Sequence, residues 1–155
     1  MTTIAWDGHF LAADRMACSG NTKRAVTKIW RIDSKVNPNV EALLGFDKIE
    51  MFAWSGEHQD AIAIRDFLRS ESSAAPKIED REGCGLVIYR SGAAARIEYR
   101  LLPSPIEEKI CAIGSGRDFA IGAMAHGANA VQALSIAGAH DCYTGLGADV
   151  LEKAL

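Results

Sequence analysis

The sequence MTTIAWDGHFLAAD, residues 1–14, decides the fold. It places two short runs of β-branched, aromatic and aliphatic residues on either side of Asp7-Gly8. Asp-Gly between two such runs favours a β-hairpin closed by a type I′ turn, which requires a positive φ at both central residues. The stretch therefore predicts that the chain enters a sheet within its first residues. A chain end, which usually frays, would then be held in place.

Removal of Met1 would give this fixed strand an N-terminal threonine, Thr2, with a hydroxyl and a free α-amine on one residue. A hydroxyl beside its own base is one way in which a weak nucleophile is activated. Thr2 and Thr3 are also good strand formers, and this ordinary interpretation stays open on the stretch alone.

Composition limits the classes of function. The 155 residues, 48% hydrophobic and 24% charged, are typical of one globular domain spanning residues 1–155. A net charge of −3 gives no basic surface for nucleic acid. The sequence holds no apolar run near the roughly 20 residues that span a bilayer and no secretory signal at its start, so we expect no membrane partner.

The cysteines and histidines indicate no metal centre. Neither set has the spacing of a zinc site, and no C-x-x-C pair occurs. We therefore expect reduced thiols, a cytoplasmic protein and no cofactor. The residues concerned are Cys18, Cys84, Cys111, Cys142, His9, His58, His126 and His140.

Hydrophobic patterning predicts strands, a helix, more strands and then helices. After the hairpin, strands are predicted over residues 26–32, 48–54, 84–90, 94–102, 109–113 and 149–151. Helices are predicted over residues 60–68, 118–125 and 130–139, the last with Asn129 and Gln132 as its cap. Residues 15–24, 33–47 and 70–83 are predicted to be connections.

Gly114-Ser115-Gly116 follows a predicted strand, and its glycines allow a sharp turn and a close approach of the backbone to other atoms. A plain strand-to-helix turn and a phosphate-binding loop stay open as alternatives. The full G-x-G-x-x-G pattern is absent.

Five motifs occur in an order that resembles one family. They are Thr2-Thr3-Ile4, Ala12-Ala13-Asp14-Arg15, Thr27-Lys28-Ile29, Ile113-Gly114-Ser115-Gly116 and Asp141-Cys142-Tyr143-Thr144-Gly145. The chain resembles proteasome β-type subunits, and among them the HslV-like bacterial peptidases of the N-terminal-nucleophile hydrolase superfamily. The resemblance covers residues 2–68 and 110–150. It implies an α+β fold, the four-layer αββα sandwich.

The resemblance also implies the roles of three residues at the start of the chain. Thr2 matches the nucleophile that forms an acyl-enzyme, with its own α-amine as general base. Lys28 matches a buried cation that lowers the pKa of the hydroxyl and the amine, and Asp14 matches its carboxylate partner. On the residues alone, Asp14 and Lys28 could be an ordinary surface pair between strands.

Further residues match supporting positions of the family. Ser115 matches a serine beside the amine, and Asp141 and Thr144 match the acid and hydroxyl that hold the terminus from the far side. Ser55-Gly56 stands where the family has the Gly-Gly pair of the oxyanion site, so the donor geometry there is less certain. Asp141 would otherwise simply cap a turn.

The resemblance predicts an N-terminal-threonine endopeptidase that acts on peptides or unfolded proteins, as a homo-oligomer and with a possible ATP-dependent unfoldase partner. A non-proteolytic amidase or a silent self-assembling scaffold is the alternative. Residues 69–83 are too few for the family's second helix, so the chain is shortened by one helix there. We expect this to leave Ile62, Phe67 or Leu68 uncovered and to drive self-association other than the usual stacking of rings.

Overall fold

The computed structural model describes residues 2–32, 38–45 and 47–155. The strands in these ranges are β1 (Thr3–Trp6), β2 (Phe10–Asp14), β3 (Met16–Ser19), β4 (Thr22–Ala25), β5 (Ile29–Arg31), β6 (Ile49–Ser55), β7 (Cys84–Tyr89), β8 (Ala94–Glu98), β9 (Ser104–Ile106), β10 (Cys111–Gly114) and β11 (Ala148–Glu152). The helices are α1 (Pro38–Leu44), α2 (His58–Leu68), α3 (Arg117–Ala125) and α4 (Ala130–His140). None of these helices is long and apolar enough to cross a membrane.

Two antiparallel sheets form the centre of the molecule. The first has the strand order β10-β1-β2-β11, and the second has the order β5-β6-β7-β8-β9. The strands β3 and β4 form a separate two-stranded hairpin. The pairing of β1 with β2 confirms that the first residues enter a sheet through a hairpin, and β1 pairs with β10 on its other side.

Side chains on alternate positions of β1 point to different cores. Ile4 and Trp6 pack between the two sheets, whereas Ala5 packs against α3 and α4. Alanine there lets the helices lie close to the sheet. On the far side, Phe52 of the second sheet packs against α1 and α2 in a third core. The order of layers is therefore helices, sheet, sheet, helices, which confirms the predicted four-layer αββα sandwich.

The first hairpin closes differently from the prediction. Gly8 has φ 93°, but Asp7 has no positive φ, so the prediction of a type I′ turn is wrong. The Asp7 carboxylate instead accepts hydrogen bonds from the N–H groups of His9 (2.8 Å) and Phe10 (2.7 Å). Its other oxygen accepts one from the N–H of Ala130 at 2.8 Å, which joins the turn to the start of α4. The Asn129–Gln132 capping box at that helix start is confirmed.

The connection predicted over residues 15–24 is wrong. It forms β3 and β4, joined at a turn where Gly20 has φ 56°. The strand β4 is exposed along its whole length, so neither of its faces needs apolar residues. Its sequence therefore lacks the alternation of apolar and polar residues that indicates a strand. The strand predicted over residues 26–32 is correspondingly shorter, since only Ile29–Arg31 pairs with β6.

The predicted loop over residues 33–47 contains a helix instead, although residues 33–37 and 46 lie outside the described residues. Proline is well suited to the first position of a helix, and Pro38 begins α1. Val40 and Leu44, four residues apart, face the outer core. β9 was also missed: it follows the strand predicted over residues 94–102, and its pairing with β8 includes Pro105.

No helix occurs within residues 69–83, as the sequence predicted. The expected uncovered apolar end is nevertheless wrong. Phe67 and Leu68 are fully buried, Ile62 is partly buried, and all three pack in the same core as α1. The outer layer is therefore covered by the chain itself, and this argument for self-association fails.

Candidate active site

Thr2 lies immediately before β1 and is 2% exposed. The hairpin register pairs Ile4 with Ala13, which brings the end of β2 beside the first residues of β1. The Thr2 hydroxyl donates a hydrogen bond to Asp14 Oδ1 at 2.8 Å. The N–H of Thr3 donates to the same oxygen at 2.9 Å. The candidate nucleophile is thus held by the carboxylate of the adjacent strand.

Lys28 contacts the same carboxylate. Its ammonium donates to Asp14 Oδ1 at 2.7 Å and to the carbonyl oxygen of Met16 at 2.6 Å. Desolvation lowers the pKa of Lys28, and the bond to Asp14 partly offsets this. Asp14 is 2% and Lys28 6% exposed, so the alternative of a surface pair is excluded. The Lys28 ammonium and the Thr2 hydroxyl therefore meet at one buried carboxylate oxygen.

Asp14 accepts hydrogen bonds from two further donors. Its second oxygen, Oδ2, accepts hydrogen bonds from the N–H groups of Met16 at 3.0 Å and Gly145 at 3.1 Å. Buried carboxylates need such donors because burial otherwise disfavours the charged form. Two separate chain segments therefore fix the carboxylate that orients Lys28.

Ser115 holds the backbone of Thr2 from the other side. Its N–H donates to the carbonyl oxygen of Thr2 at 2.7 Å, and its hydroxyl lies 3.3 Å from that oxygen. The approach depends on Gly114, which has φ 95°. A Cβ on Gly114 would lie 1.9 Å from the Thr2 carbonyl oxygen, closer than any real contact. The strand-to-helix turn is thus shaped around Thr2.

Asp141 joins the remaining predicted residues. Its Oδ2 accepts hydrogen bonds from the hydroxyls of Thr144 at 2.6 Å and Ser115 at 2.7 Å. Burial alone would raise the pKa of Asp141, but the hydrogen bonds from Thr144, Ser115 and the N–H of Tyr143 outweigh it and hold the pKa below its ordinary value. Asp141 is therefore a carboxylate that fixes two hydroxyls.

Thr3 is a site residue that the sequence reasoning missed. Its fully buried hydroxyl lies 2.5 Å from that of Thr144 and accepts a hydrogen bond from the N–H of Gly116 at 3.1 Å. Thr144 therefore holds the first residues of the chain through the hydroxyl of Thr3. Because the side chains of successive residues in a strand point to opposite faces, the hydroxyls of Thr2 and Thr3 form hydrogen bonds on opposite faces of the sheet. That alternation was the only available signal.

A cleft of about 960 Å³ opens onto the candidate nucleophile. Thr2, Lys28, Ser55 and Gly56 all line it. Ser55 ends β6, and Gly56 follows with φ 150°, a conformation that favours glycine. The cleft can therefore bring a bound molecule to the Thr2 hydroxyl and to the backbone of Ser55-Gly56.

Comparison with known proteins gives the fold a precedent. No protein-family model matches the sequence, and no curated protein matches it. The structure is similar to BPH of Thiobacillus denitrificans in complex with epoxomicin, with TM-score 0.65, 18% identity and 99% of both chains covered. A second BPH structure from that organism has TM-score 0.61 and 16% identity, covering 99% of this chain and 98% of that one. HslV from Trypanosoma brucei has TM-score 0.62 and 20% identity over 97% of both chains. The chain has the HslV-like, proteasome β-type fold.

Within this HslV-like fold, the predicted residues form two connected clusters and a cleft wall. Thr2, Asp14 and Lys28 form the first cluster. Ser115, Asp141 and Thr144 form the second, which reaches β1 through the Thr2 carbonyl and the Thr3 hydroxyl. Ser55-Gly56 lies on the wall of the cleft. A hydroxyl with an adjacent cation and a fixed backbone is suited to nucleophilic attack on a bound carbonyl.

Proposed function

We propose that this protein is an N-terminal-threonine endopeptidase that becomes active when Met1 is removed. The observation that carries the proposal is that the Thr2 hydroxyl and the Lys28 ammonium bind the same oxygen of Asp14, at 2.8 and 2.7 Å. All three residues are buried, and Thr2 and Lys28 line the cleft. An ordinary structural threonine needs no buried ion pair beside its hydroxyl.

In the proposed reaction, Thr2 Oγ1 attacks the carbonyl carbon of the scissile peptide bond, and its proton passes to the free α-amine of Thr2. The resulting ammonium then gives a proton to the leaving nitrogen as the C–N bond breaks, which leaves an ester on Thr2. Water, deprotonated by the same amine, attacks this ester and releases the acid product with regeneration of the hydroxyl. The reference pKa of an α-amine, about 7.7–8.0, suits a base near neutral pH.

Removal of Met1 is essential to this proposal. While Met1 is present, the nitrogen of Thr2 is part of an amide and cannot act as a base. The Thr2 hydroxyl donates to Asp14 in this structure. Loss of the methionine would add the base without requiring movement of Lys28 or Asp14.

Lys28 and Asp14 have complementary roles in the proposal. The Lys28 charge stabilises the alkoxide that develops on Thr2, and Asp14 keeps the lysine oriented. Burial lowers the pKa of Lys28 and so favours loss of its proton, whereas Asp14 favours its retention. We further propose that Ser115, with Asp141 and Thr144 behind it, fixes the Thr2 backbone so that the amine faces the hydroxyl.

We assign the oxyanion donor to the backbone at Ser55-Gly56. These residues line the cleft together with Thr2, and a backbone N–H there would bind the tetrahedral intermediate. The open cleft fits an extended peptide, so we propose short peptides or unfolded proteins as substrates. A homo-oligomer, an ATP-dependent unfoldase partner and a cytoplasmic location belong to the same proposal, which for these rests on the HslV-like fold.

The experiment that tests the function is turnover of fluorogenic peptides by protein whose mature N-terminus is Thr2. Thr2→Ala should reduce turnover to background while the melting temperature stays within a few degrees, because the side chain is small and at a strand end. Thr2→Ser is the matched control and should retain measurable turnover, since it keeps the hydroxyl. Wild-type turnover by Thr2→Ala would refute the proposal, and a wild-type protein that cleaves no peptide would favour the amidase or scaffold alternative.

A further inference from the structure

The connection between α2 and β7 lies against the cleft at a point that the proposed mechanism uses. This segment, residues 77–83, occupies the place where the sequence lacks a second helix. Lys77, Glu79, Asp80 and Glu82 from it line the same cleft as Thr2. The short connection is therefore part of the site, although no sequence motif marks it.

Asp80 makes the contacts that hold this segment in place. Its Oδ2 accepts a hydrogen bond from the N–H of Glu57 at 3.1 Å, and its Oδ1 accepts one from the N–H of Glu82 at 3.0 Å. Its own N–H donates to Asp60 Oδ2 at 3.2 Å. Asp80 thus connects the segment to the residues that precede and begin α2.

The bond to Glu57 also completes the start of α2. Glu57 is the N-cap residue of that helix, and its own side chain makes no capping hydrogen bond. A carboxylate at a helix N-terminus is favoured by the helix dipole. Asp80 provides this carboxylate from another segment, so its position determines the orientation of the peptide unit between Gly56 and Glu57.

The packing around Gly56 leaves no space for adjustment. A Cβ on Gly56 would lie 2.7 Å from Asp80 Oδ2 and 2.9 Å from both the Cα of Gly83 and the Trp54 ring nitrogen. Gly83 is equally restricted, since a Cβ there would lie 2.5 Å from the Trp54 ring. Asp80, Gly83 and Trp54 therefore surround Gly56 so closely that a side chain at this position would collide with them.

We propose that Asp80 is a positioning residue that fixes the oxyanion site of this protein. By binding the N–H of Glu57, it removes that group as a competing donor and holds the preceding N–H, that of Gly56, toward the cleft. The inference rests on the proposed function, because an oxyanion donor has a role only if Thr2 attacks a carbonyl. A fixed donor stabilises the transition state more than the bound substrate, so its loss should lower kcat and leave KM nearly unchanged.

The test compares Asp80→Ala, Asp80→Asn and Arg81→Ala in the mature full chain. We expect Asp80→Ala to lower kcat by about 10- to 100-fold with KM within about twofold, the size of effect that a misplacement near 1 Å produces. Asp80→Asn keeps one acceptor oxygen, so its kcat should be about tenfold higher than that of Asp80→Ala. Arg81 is the matched control, because its guanidinium lies over the Tyr99 ring outside the cleft, and its removal should change neither constant.

Hydrogen exchange gives a readout that does not need activity. Amides in residues 55–57 should exchange faster in Asp80→Ala than in wild type, while those in β1 stay unchanged. Unchanged kcat in Asp80→Ala, or a fall that Asp80→Asn and Arg81→Ala share equally, would overturn the inference. Absence of turnover in wild type would refute the proposed function instead, and the exchange result would still report whether Asp80 holds this segment.

Discussion

Gly114→Ala is the substitution whose effect the structure predicts in most detail. Gly114 ends β10 with φ 95°, and an added Cβ would lie 1.9 Å from the carbonyl oxygen of Thr2. Real Cβ atoms do not come closer than 3.0 Å to other heavy atoms, so one of the two segments has to move by about 1 Å. The hydrogen bond from the N–H of Ser115 to that oxygen, 2.7 Å long, would be broken.

The expected magnitude has two parts. A non-glycine residue in the left-handed region costs about 1–2 kcal/mol in the free energy of unfolding. Loss of the hydrogen bond from the Ser115 N–H and the displacement of β1 should add about 1–3 kcal/mol, since the carbonyl loses its shorter bond to a donor. A shift of about 1 Å at Thr2 should also lower kcat/KM about 100-fold.

Gly127→Ala is the matched control, because Gly127 has φ 98° but open space where its Cβ would lie. It should lose only the conformational part, about 1–2 kcal/mol, with turnover unchanged. Denaturant unfolding and peptide turnover of the two variants provide the assay. Equal losses of stability in both variants, or wild-type turnover by Gly114→Ala, would refute the argument that this turn is shaped around Thr2.

Three further predictions concern the two clusters. Lys28→Met should lower kcat/KM about 100-fold or more, because a charge about 5 Å away at an effective dielectric constant near 20 is worth about 3 kcal/mol to the alkoxide; a loss below threefold would contradict the role of the lysine. Thr3→Val should reduce the free energy of unfolding by about 1–3 kcal/mol, since the N–H of Gly116 loses its acceptor and the hydroxyl of Thr144 keeps only Asp141. Thr3→Ser should retain most of the wild-type stability in the same denaturant titration. Turnover of mature protein should rise with pH as the α-amine loses its proton, near its reference pKa of about 7.7–8.0. Turnover should decrease again when Lys28 loses its proton, and this decrease should begin at a pH below 10.5, the ordinary pKa of lysine, because burial lowers the pKa of Lys28. A pH–rate profile flat across this range would count against both assignments.

Local patterns predicted the parts of the fold that local forces determine. The first hairpin is marked by Asp7-Gly8 between apolar runs, and α4 by its capping residues and its spacing. By contrast, β4 is polar and exposed throughout, so it carries no pattern by which to distinguish it from a loop. Similarly, α1 was missed because Pro38 was interpreted as a loop residue, although proline is compatible with a first helical turn.

The candidate site was predictable only where a motif exists. The contact between Asp14 and Lys28 follows from the resemblance, and the structure adds their burial and common oxygen. The role of Thr3 depends on Thr144, which is 141 residues away, so strand alternation predicts that its side chain faces away from that of Thr2 but does not identify its partner. Asp80 lies in a polar connection whose sequence is typical of solvent-exposed loops, and only its hydrogen bonds to Glu57, Asp60 and Glu82 reveal its position.

The central claim is that Thr2, with its α-amine free, is the nucleophile. Epoxomicin, which is bound in one of the similar structures, provides a direct probe of this claim. Tandem mass spectrometry should locate one probe molecule on Thr2 in protein lacking Met1, and no adduct on protein whose N-terminus is extended by an uncleaved peptide. An adduct on another residue, or equal labelling of the extended protein, would contradict the account.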